Sequence, residues 1–167
     1  DAIVLGKVRE FVVPQIERHG AIRAWLIDDT GFPKHGPHSV GVSHQYCGEL
    51  GKQANCQIAV SLSVANHHAS LPVAYRLYLP ESWANDKKRR KKAGVPDDVV
   101  FQTKPKIALR QIEWACEAGI PRGVVLMDSA YGSDLSLRTR MTTLGLSYSV
   151  AIWARLIPGV NGISRES

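Results

Sequence analysis

The run Ala24-Trp25-Leu26-Ile27-Asp28-Asp29-Thr30-Gly31 joins four apolar residues to two adjacent acids and then to Thr-Gly. A short apolar run that is bounded by a turn signal is typical of a buried strand. Side chains at the end of such a strand emerge into a crevice of the fold, where ligands bind. The run therefore predicts a buried strand over residues 21–28 whose C-terminal end presents an acid.

A second run has the same arrangement. Val124-Val125-Leu126-Met127 is apolar and is followed by Asp128 and then by Ser129-Ala130-Tyr131-Gly132. Hard divalent cations prefer oxygen ligands, so two carboxylates at the ends of neighbouring strands can share one metal ion. Together the two runs predict a metal site that is built from strand ends.

The composition is that of one globular domain. The 167 residues are 44% hydrophobic and 22% charged, and the chain lacks the run of about 18 apolar residues that a membrane span needs. Twenty-one Lys and Arg against fifteen Asp and Glu give a net charge of +6, which favours polyanionic partners without identifying one. The three widely spaced cysteines and the absence of a signal-peptide pattern indicate a cytoplasmic protein with reduced thiols. Because the chain opens on Asp1, we expect it to be part of a longer protein.

Hydrophobic periodicity and turn signals predict alternating elements along the chain. The predicted helices cover residues 2–19, residues 103–118 and a segment from Ser133 to Gly145; the predicted strands cover residues 21–28, 56–65, 69–79, 124–128 and 146–153. Residues 31–55, which are rich in Gly and His, are expected to form a long loop with room for a short hairpin. The order strand, strand, strand, helix, strand, helix, strand indicates an α/β fold with a mixed sheet and helices packed on it.

Six basic residues stand in the sequence without interruption. They are Lys87, Lys88, Arg89, Arg90, Lys91 and Lys92. One interpretation is a solvated, helical surface with ordinary Lys and Arg side chains. The other is a phosphate-contacting patch, because clustered cations gain free energy by releasing counterions from nucleic acid. The sequence alone leaves both interpretations open.

The strand order, with one acid on the first strand and another at the end of the fourth, is similar to the RNase H-like fold. Several strings, in this order, resemble the DDE-class transposases of bacterial insertion sequences. They are Ile27-Asp28-Asp29-Thr30-Gly31-Phe32-Pro33-Lys34-His35-Gly36, Gln45-Tyr46-Cys47-Gly48, Leu79-Pro80-Glu81-Ser82-Trp83, Gly94-Val95-Pro96, Phe101-Gln102-Thr103-Lys104-Pro105 and Asp128-Ser129-Ala130-Tyr131-Gly132. The resemblance extends from about Trp25 to Trp153. We accordingly divide the chain into a helical lead-in over residues 1–20, an incomplete RNase H-like core over 21–153 and an irregular tail over 154–167.

The resemblance implies a metal-dependent enzyme that cuts and joins DNA during transposition in the bacterial cytoplasm. In that family two Asp and one Glu hold two Mg²⁺ or Mn²⁺ ions, and the complete protein is expected to form homo-oligomers. Two ions about 3.5–4 Å apart can hold both the attacking and the leaving oxygen of an in-line phosphoryl transfer. The protein then contributes positioning and charge stabilisation, so no covalent protein intermediate is needed.

The resemblance assigns roles to particular residues. Asp128 matches the second acid of the family. Only one of Asp28 and Asp29 can reach a metal held by Asp128, because adjacent strand residues face opposite ways; the Asp-Thr string of some relatives favours Asp29, with Asp28 as the alternative. The predicted DNA-binding residues are Lys34, Lys87, Lys88, Arg89, Arg90, Lys91 and Lys92.

The chain departs from the family pattern after Trp153. The third acid of the family is a Glu in a Tyr-Arg-Glu signature on a helix after the last strand, whereas only Arg155, Arg165 and Glu166 follow here, without a Tyr. We therefore expect the third ligand to be missing and the 167-residue chain to be inactive alone. Two alternatives stay open: a transposase remnant that only binds DNA, and, more distantly, a haloacid-dehalogenase-type phosphohydrolase, whose Asp-x-Asp-x-Thr string the adjacent acids match poorly.

Overall fold

A computed structural model describes residues 2–151 of the protein. In that range the strands are Ala24–Pro33 (β1), Ser43–Cys47 (β2), Lys52–Ala65 (β3), Ser70–Leu77 (β4), Val124–Met127 (β5) and Tyr148–Val150 (β6). The helices are Ala2–Glu17 (α1), Glu81–Ala84 (α2), Lys87–Lys92 (α3), Lys104–Glu117 (α4), Ser129–Gly132 (α5) and Leu135–Thr143 (α6). None of the helices described is both long and apolar enough to cross a bilayer.

The strands form one mixed sheet with β1 at its centre. β1 pairs antiparallel with β3 and parallel with β5, and β6 continues the sheet parallel to β5. β2 and β4 both pair antiparallel with β3, at successive parts of its length. The predicted α/β fold with a mixed sheet is therefore confirmed, and the arrangement is consistent with the RNase H-like fold.

One face of the sheet carries the hydrophobic core. Trp25 and Ile27 of β1, and Val125 and Met127 of β5, are buried there and alternate with more exposed neighbours. Successive side chains of a strand face opposite sides, so this alternation defines a core face and an outer face. Helix α4 belongs to the same core and contributes the buried side chains Ile107, Ala108, Ile112 and Ala115. The buried faces of α4 and of the sheet hold both elements in place beneath the strand ends.

The predicted loop over residues 31–55 is only partly a loop. β1 continues to Pro33, β2 occupies Ser43–Cys47, and β3 begins at Lys52 rather than at residue 56. The segments of these strands that fall in the predicted loop are mostly polar. They depend on backbone pairing more than on an alternating apolar pattern. Gly31 lies within β1, at a position where a Cβ would stand 2.9 Å from the Cys47 sulfur. A glycine that suggested a turn therefore marks a close approach between elements.

The observed ends of the helices and strands differ from some of the predicted ends. Asp134 rather than Ser133 caps helix α6, because its carboxylate accepts the Leu137 backbone N–H at 2.8 Å. Thr103 caps α4 as predicted. Pro14 lies inside α1, which continues through it without splitting. The predicted strand over residues 146–153 is observed at Tyr148–Val150, and residues 152–167 lie outside the described range.

Candidate active site beside strands β1 and β5

The paired part of β1 and β5 leads directly to two acids. The parallel register runs from Ala24 opposite Val124 to Ile27 opposite Met127. The next residues in this register are Asp28 and Asp128. Strand β5 ends at this level, while β1 continues to Pro33 in its pairing with β3. The two acids therefore lie side by side at the C-terminal end of β5, midway along β1.

Asp28 is exposed and lies on the outer face of β1. Its Oδ1 accepts the backbone N–H of Asp29 at 2.7 Å, and within residues 2–151 it makes no ion pair. The Ser61 hydroxyl of β3 donates to the Asp28 carbonyl oxygen at 3.3 Å. The carboxylate of Asp28 therefore faces solvent while its backbone is fixed in the sheet.

Asp29 projects from the opposite side of β1 and is held by two side chains. Its Oδ2 forms an ion pair with the ammonium of Lys104, at the start of α4. Its Oδ1 accepts a hydrogen bond from the hydroxyl of Tyr131, in α5. Both oxygens have protein partners, and the side chain is only 25% exposed. Asp29 therefore connects β1 to the two helices that flank the sheet edge.

Asp128 caps the N-terminus of α5. Its Oδ1 accepts the backbone N–H groups of Ala130 at 2.9 Å and of Tyr131 at 3.3 Å. These bonds fix the rotamer of an exposed carboxylate. Its Oδ2 has no hydrogen-bond partner in the described part of the chain, and it is thus available to a ligand.

Tyr131 contacts two of the three acids, because its hydroxyl donates to Asp29 and its backbone N–H donates to Asp128. Burial raises the pKa of its phenol most strongly, and the charge of Asp29, the hydrogen bond to Asp29 and the charges of Asp128 and Asp28 raise it further. The phenol therefore stays protonated and donates at all physiological pH values.

Carboxylate oxygens are suitable ligands for Mg²⁺ or Mn²⁺, and Asp28 and Asp128 are the exposed acids that could hold such an ion. Among residues 2–151, no group of three or more His, Cys, Asp or Glu side chains is arranged to hold a metal ion. Glu113, on α4, is engaged elsewhere: Arg140 donates to its carboxylate at 2.8 Å. The described residues thus provide two exposed carboxylates, Asp28 and Asp128, beside the end of β5.

The six cations that were predicted to bind DNA form helix α3, where arginines and lysines differ. Arg89 lies 3.6 Å over the ring of the buried Trp83 and donates to the carbonyl of Pro37. Arg90 donates to the carbonyl oxygens of Ala84, Pro96 and Asp97. Both arginines therefore attach α3 to the protein, and their predicted contact with DNA stays a prediction.

The lysines of α3 differ from its arginines in exposure and in contacts. None of them donates a side-chain hydrogen bond or forms a salt bridge within residues 2–151, and all are exposed; they are Lys87, Lys88, Lys91 and Lys92. The structure thus leaves these four ammonium groups accessible to a ligand, and their contact with DNA stays a prediction.

The predicted DNA-binding residue Lys34 follows β1 directly. It is exposed, and its backbone N–H donates to the carbonyl of Asn55 at 2.8 Å. The segment after it reaches α3, because Arg89 bonds to Pro37. Lys34 and α3 are therefore connected through one loop.

Lys104 and Tyr131 are the site residues that sequence reasoning missed. Both stand in strings that carry the family resemblance, Phe101 to Pro105 and Asp128 to Gly132, and this was the available signal. Their contacts with Asp29 span 75 and 102 positions of sequence. No local pattern reports contacts of that range.

Comparison with known proteins identifies the family. The model of the DDE superfamily endonucleases matches residues 1–156. A relative from Microchaete diplosiphon, described as a probable transposase for insertion sequence element IS701, is 33% identical over 128 residues. The match covers 76% of this chain and 31% of the relative, so the chain spans less than a third of that protein's length. No solved structure matches the chain. The chain therefore belongs to the DDE superfamily endonucleases.

Proposed function

We propose that the chain is the catalytic part of a transposase that cleaves DNA strands and joins their ends with the help of Mg²⁺ or Mn²⁺. One observation carries the proposal. Asp28 and Asp128 directly follow Ile27 and Met127, the last residue pair of the parallel register between β1 and β5. Both carboxylates are exposed at the same sheet edge, in a chain of net charge +6 that attracts polyanions.

Asp28 is better suited than Asp29 to hold the metal ion with Asp128. Asp28 shares the register and the exposure of Asp128, whereas Asp29 faces the other side of β1. Both oxygens of Asp29 already bind protein groups, Lys104 and Tyr131. A metal ion at Asp29 would have to break an ion pair and a hydrogen bond. The proposed role of Asp29 is therefore to position α4 and α5 around the edge.

A bound pair of divalent ions would supply charge stabilisation for the attacking and leaving oxygens of phosphoryl transfer. The chain's own part is to fix the carboxylates before DNA arrives. Two backbone N–H groups hold Asp128, and the sheet holds Asp28. Lys104 pairs with Asp29 and so holds α4 against β1 beside the two exposed acids.

Metal binding by the 167-residue chain tests the ligand set. Mn²⁺ titrations in a calorimeter compare the unmodified chain with Asp28→Asn and Asp128→Asn, and with Asp98→Asn as a control at an exposed acid outside the site. Loss of either ligand is expected to weaken Mn²⁺ binding by about tenfold or more, and the control is expected to leave it unchanged. Equal loss in Asp29→Asn and Asp128→Asn, with none in Asp28→Asn, would instead make Asp29 the ligand.

Nicking of supercoiled plasmid tests whether the 167-residue chain contains a complete active site. With two protein carboxylates, we expect the chain alone to bind DNA but not to nick it in Mn²⁺, because Mg²⁺ and Mn²⁺ sites of this kind need a third acid. Nicking that disappears in Asp128→Ala would show that the chain contains a complete site. Membership of the DDE family speaks against the haloacid-dehalogenase alternative.

DNA is the proposed partner, and α3 is its proposed contact surface together with Lys34. The exposed lysines of α3 carry charge without a pattern of donors that could match a base sequence, so we assign all four to phosphates: Lys87, Lys88, Lys91 and Lys92. For the complete transposase we propose self-association and a location in the bacterial cytoplasm.

A further inference from the structure

A cavity of about 690 Å³ opens at the edge of the sheet opposite the acids. Its walls come from the segments that precede β1, β5 and β6 and from the turn between β3 and β4. Val124 in its wall lies four residues before Asp128. At about 3.3 Å per strand residue, this corresponds to about 13 Å along β5. The cavity is therefore separate from the candidate active site.

The side chains that line this cavity are basic. Five of them are His or Arg, and no Asp or Glu is among the lining residues; the five are His19, Arg23, His67, His68 and Arg122. All five are exposed. Neither arginine forms a salt bridge with an acid in the described range. The cavity thus concentrates uncompensated positive charge in a concave surface.

The wall formed by the β3–β4 turn is fixed by Asn66. Its amide nitrogen donates to the carbonyl oxygens of Ile16 at 2.9 Å and Gly20 at 2.7 Å. Its amide oxygen accepts the backbone N–H groups of His68 at 2.9 Å and Ala69 at 3.0 Å. One side chain therefore joins the end of α1 to the turn, so that the backbone around the cavity is set before any ligand binds.

The arginines are anchored in a similar way. Arg122 donates to the carbonyl of Leu144 at 3.2 Å, and Arg23 contacts the His67 ring nitrogen at 2.5 Å. A guanidinium has five N–H donors, so each arginine keeps most of its donors for a ligand. Beside Arg122, Gly123 allows close contact with β1, since a Cβ there would stand 2.5 Å from the Ala24 nitrogen. The two arginines consequently stand on neighbouring, tightly packed segments.

We propose that this cavity binds phosphate groups of the DNA backbone, at a second contact apart from the acids and from α3. Arginines in a preformed concave site can bind phosphate with two parallel hydrogen bonds. Along a DNA strand one phosphate occurs about every 3.4 Å of helix axis, so the distance of about 13 Å along β5 corresponds to about four nucleotides. A single DNA molecule is long enough to reach both edges. The inference rests on DNA being the partner in the proposed function.

Fluorescence anisotropy with a labelled duplex tests the proposal on the 167-residue chain. The double variant Arg23→Gln/Arg122→Gln is compared with Lys7→Gln/Arg18→Gln, which removes the same charge from exposed positions of α1 and its end outside the cavity. The cavity variant is expected to bind the duplex about tenfold more weakly. The slope of log affinity against log salt is expected to fall by about 1.8, for two lost phosphate contacts. Arg23→Lys/Arg122→Lys is expected to keep the salt slope but to recover only part of the affinity, because lysine retains the charge and lacks the two parallel hydrogen bonds. Thermal unfolding followed by circular dichroism checks that all variants fold.

The outcomes distinguish this inference from the proposed function. Equal weakening by the cavity variant and its control would overturn the cavity site while DNA binding stands. Calorimetric binding of pyrophosphate that the cavity variant loses, with DNA affinity unchanged, would assign the cavity to a free phosphate compound and overturn the DNA contact. Failure of the unmodified chain to bind the duplex at all would overturn the proposed function as well.

Discussion

Tyr131 connects two of the acids at the sheet edge. Its backbone N–H donates to Asp128, and its hydroxyl donates to Asp29. Asp29 in turn pairs with Lys104. This set of contacts holds α4, α5 and the end of β1 together. A phenol in such a position serves as a positioning group, since it stays protonated and donates one hydrogen bond.

Tyr131→Phe is expected to change the pH dependence of stability. The folded state raises the pKa of Tyr131 above its ordinary value near 10, chiefly by burial. The neutral phenol therefore contributes stability that is complete below about pH 10 and is lost as the pH rises further. Urea unfolding between about pH 8 and pH 11 is expected to show a decline in the free energy of unfolding above about pH 10 that is shallower in Tyr131→Phe. Tyr148→Phe, whose hydroxyl contacts Thr142 at the surface, is the control; an identical decline in both variants would contradict the prediction.

Among single residues, the sequence singles out the acids of the candidate site more readily than the side chains that contact them. Asp128 ends an apolar run, and that local pattern was sufficient to single it out. The choice between Asp28 and Asp29 depends on strand register and on contacts with distant helices. Neither follows from periodicity, which reports only which residues share a face.

Helix α3 combines two roles in six residues. Arg89 and Arg90 bind carbonyl oxygens of the protein, and Arg89 also stacks on Trp83. The lysines are exposed on both sides of the arginines. The run of charge in the sequence therefore divides into residues that attach the helix and residues that are accessible to a ligand.

Replacing the four lysines of α3 with Gln is expected to weaken duplex binding equally on all sequences and to lower the salt slope by about 0.9 for each lost phosphate contact. The unfolding temperature is expected to stay unchanged, because exposed charges contribute little to stability. Arg89→Gln/Arg90→Gln is expected to lower it, since several carbonyl oxygens lose their donors. Anisotropy at several salt concentrations and thermal unfolding measure both effects. Sequence-selective weakening by the lysine variant would contradict phosphate contact.

Elements with apolar patterns were predicted well, and polar elements were not. The hairpin of β3 and β4, helix α4 and strand β5 follow their hydrophobic patterns closely. β2 and the extension of β1 lack such a pattern. They form strands because their backbones pair with the neighbouring strand β3. Tertiary pairing of this kind leaves no periodic trace in the sequence.

Strand β3 connects most of the sheet, and its centre determines the stability of the whole molecule. Leu62 pairs with Ile27 of β1 and with Ala74 of β4 and is completely buried. Leu62→Ala is expected to lower the free energy of unfolding by about 2–5 kcal/mol, through lost burial and the cavity left behind. Leu71→Ala is the control, because Leu71 is 43% exposed. Urea unfolding measures both, and a similar loss in the two variants would contradict a core centred on β3.

The contacts of helix α5 link two acids of the candidate site to the backbone at Ala151. Asp128 caps it, Tyr131 ties it to Asp29, and Gly132 packs so closely on the backbone of Ala151 that no side chain would fit between them. A tilt of α5 is therefore expected to move Asp29 and Asp128 together. A displacement of the backbone at Ala151 is expected to tilt α5. In relaxation-dispersion NMR, the amide signals of residues 28, 29 and 128–132 should then share one exchange rate. Asp29, Asp128 and helix α5 would then move as one unit when a ligand binds beside them.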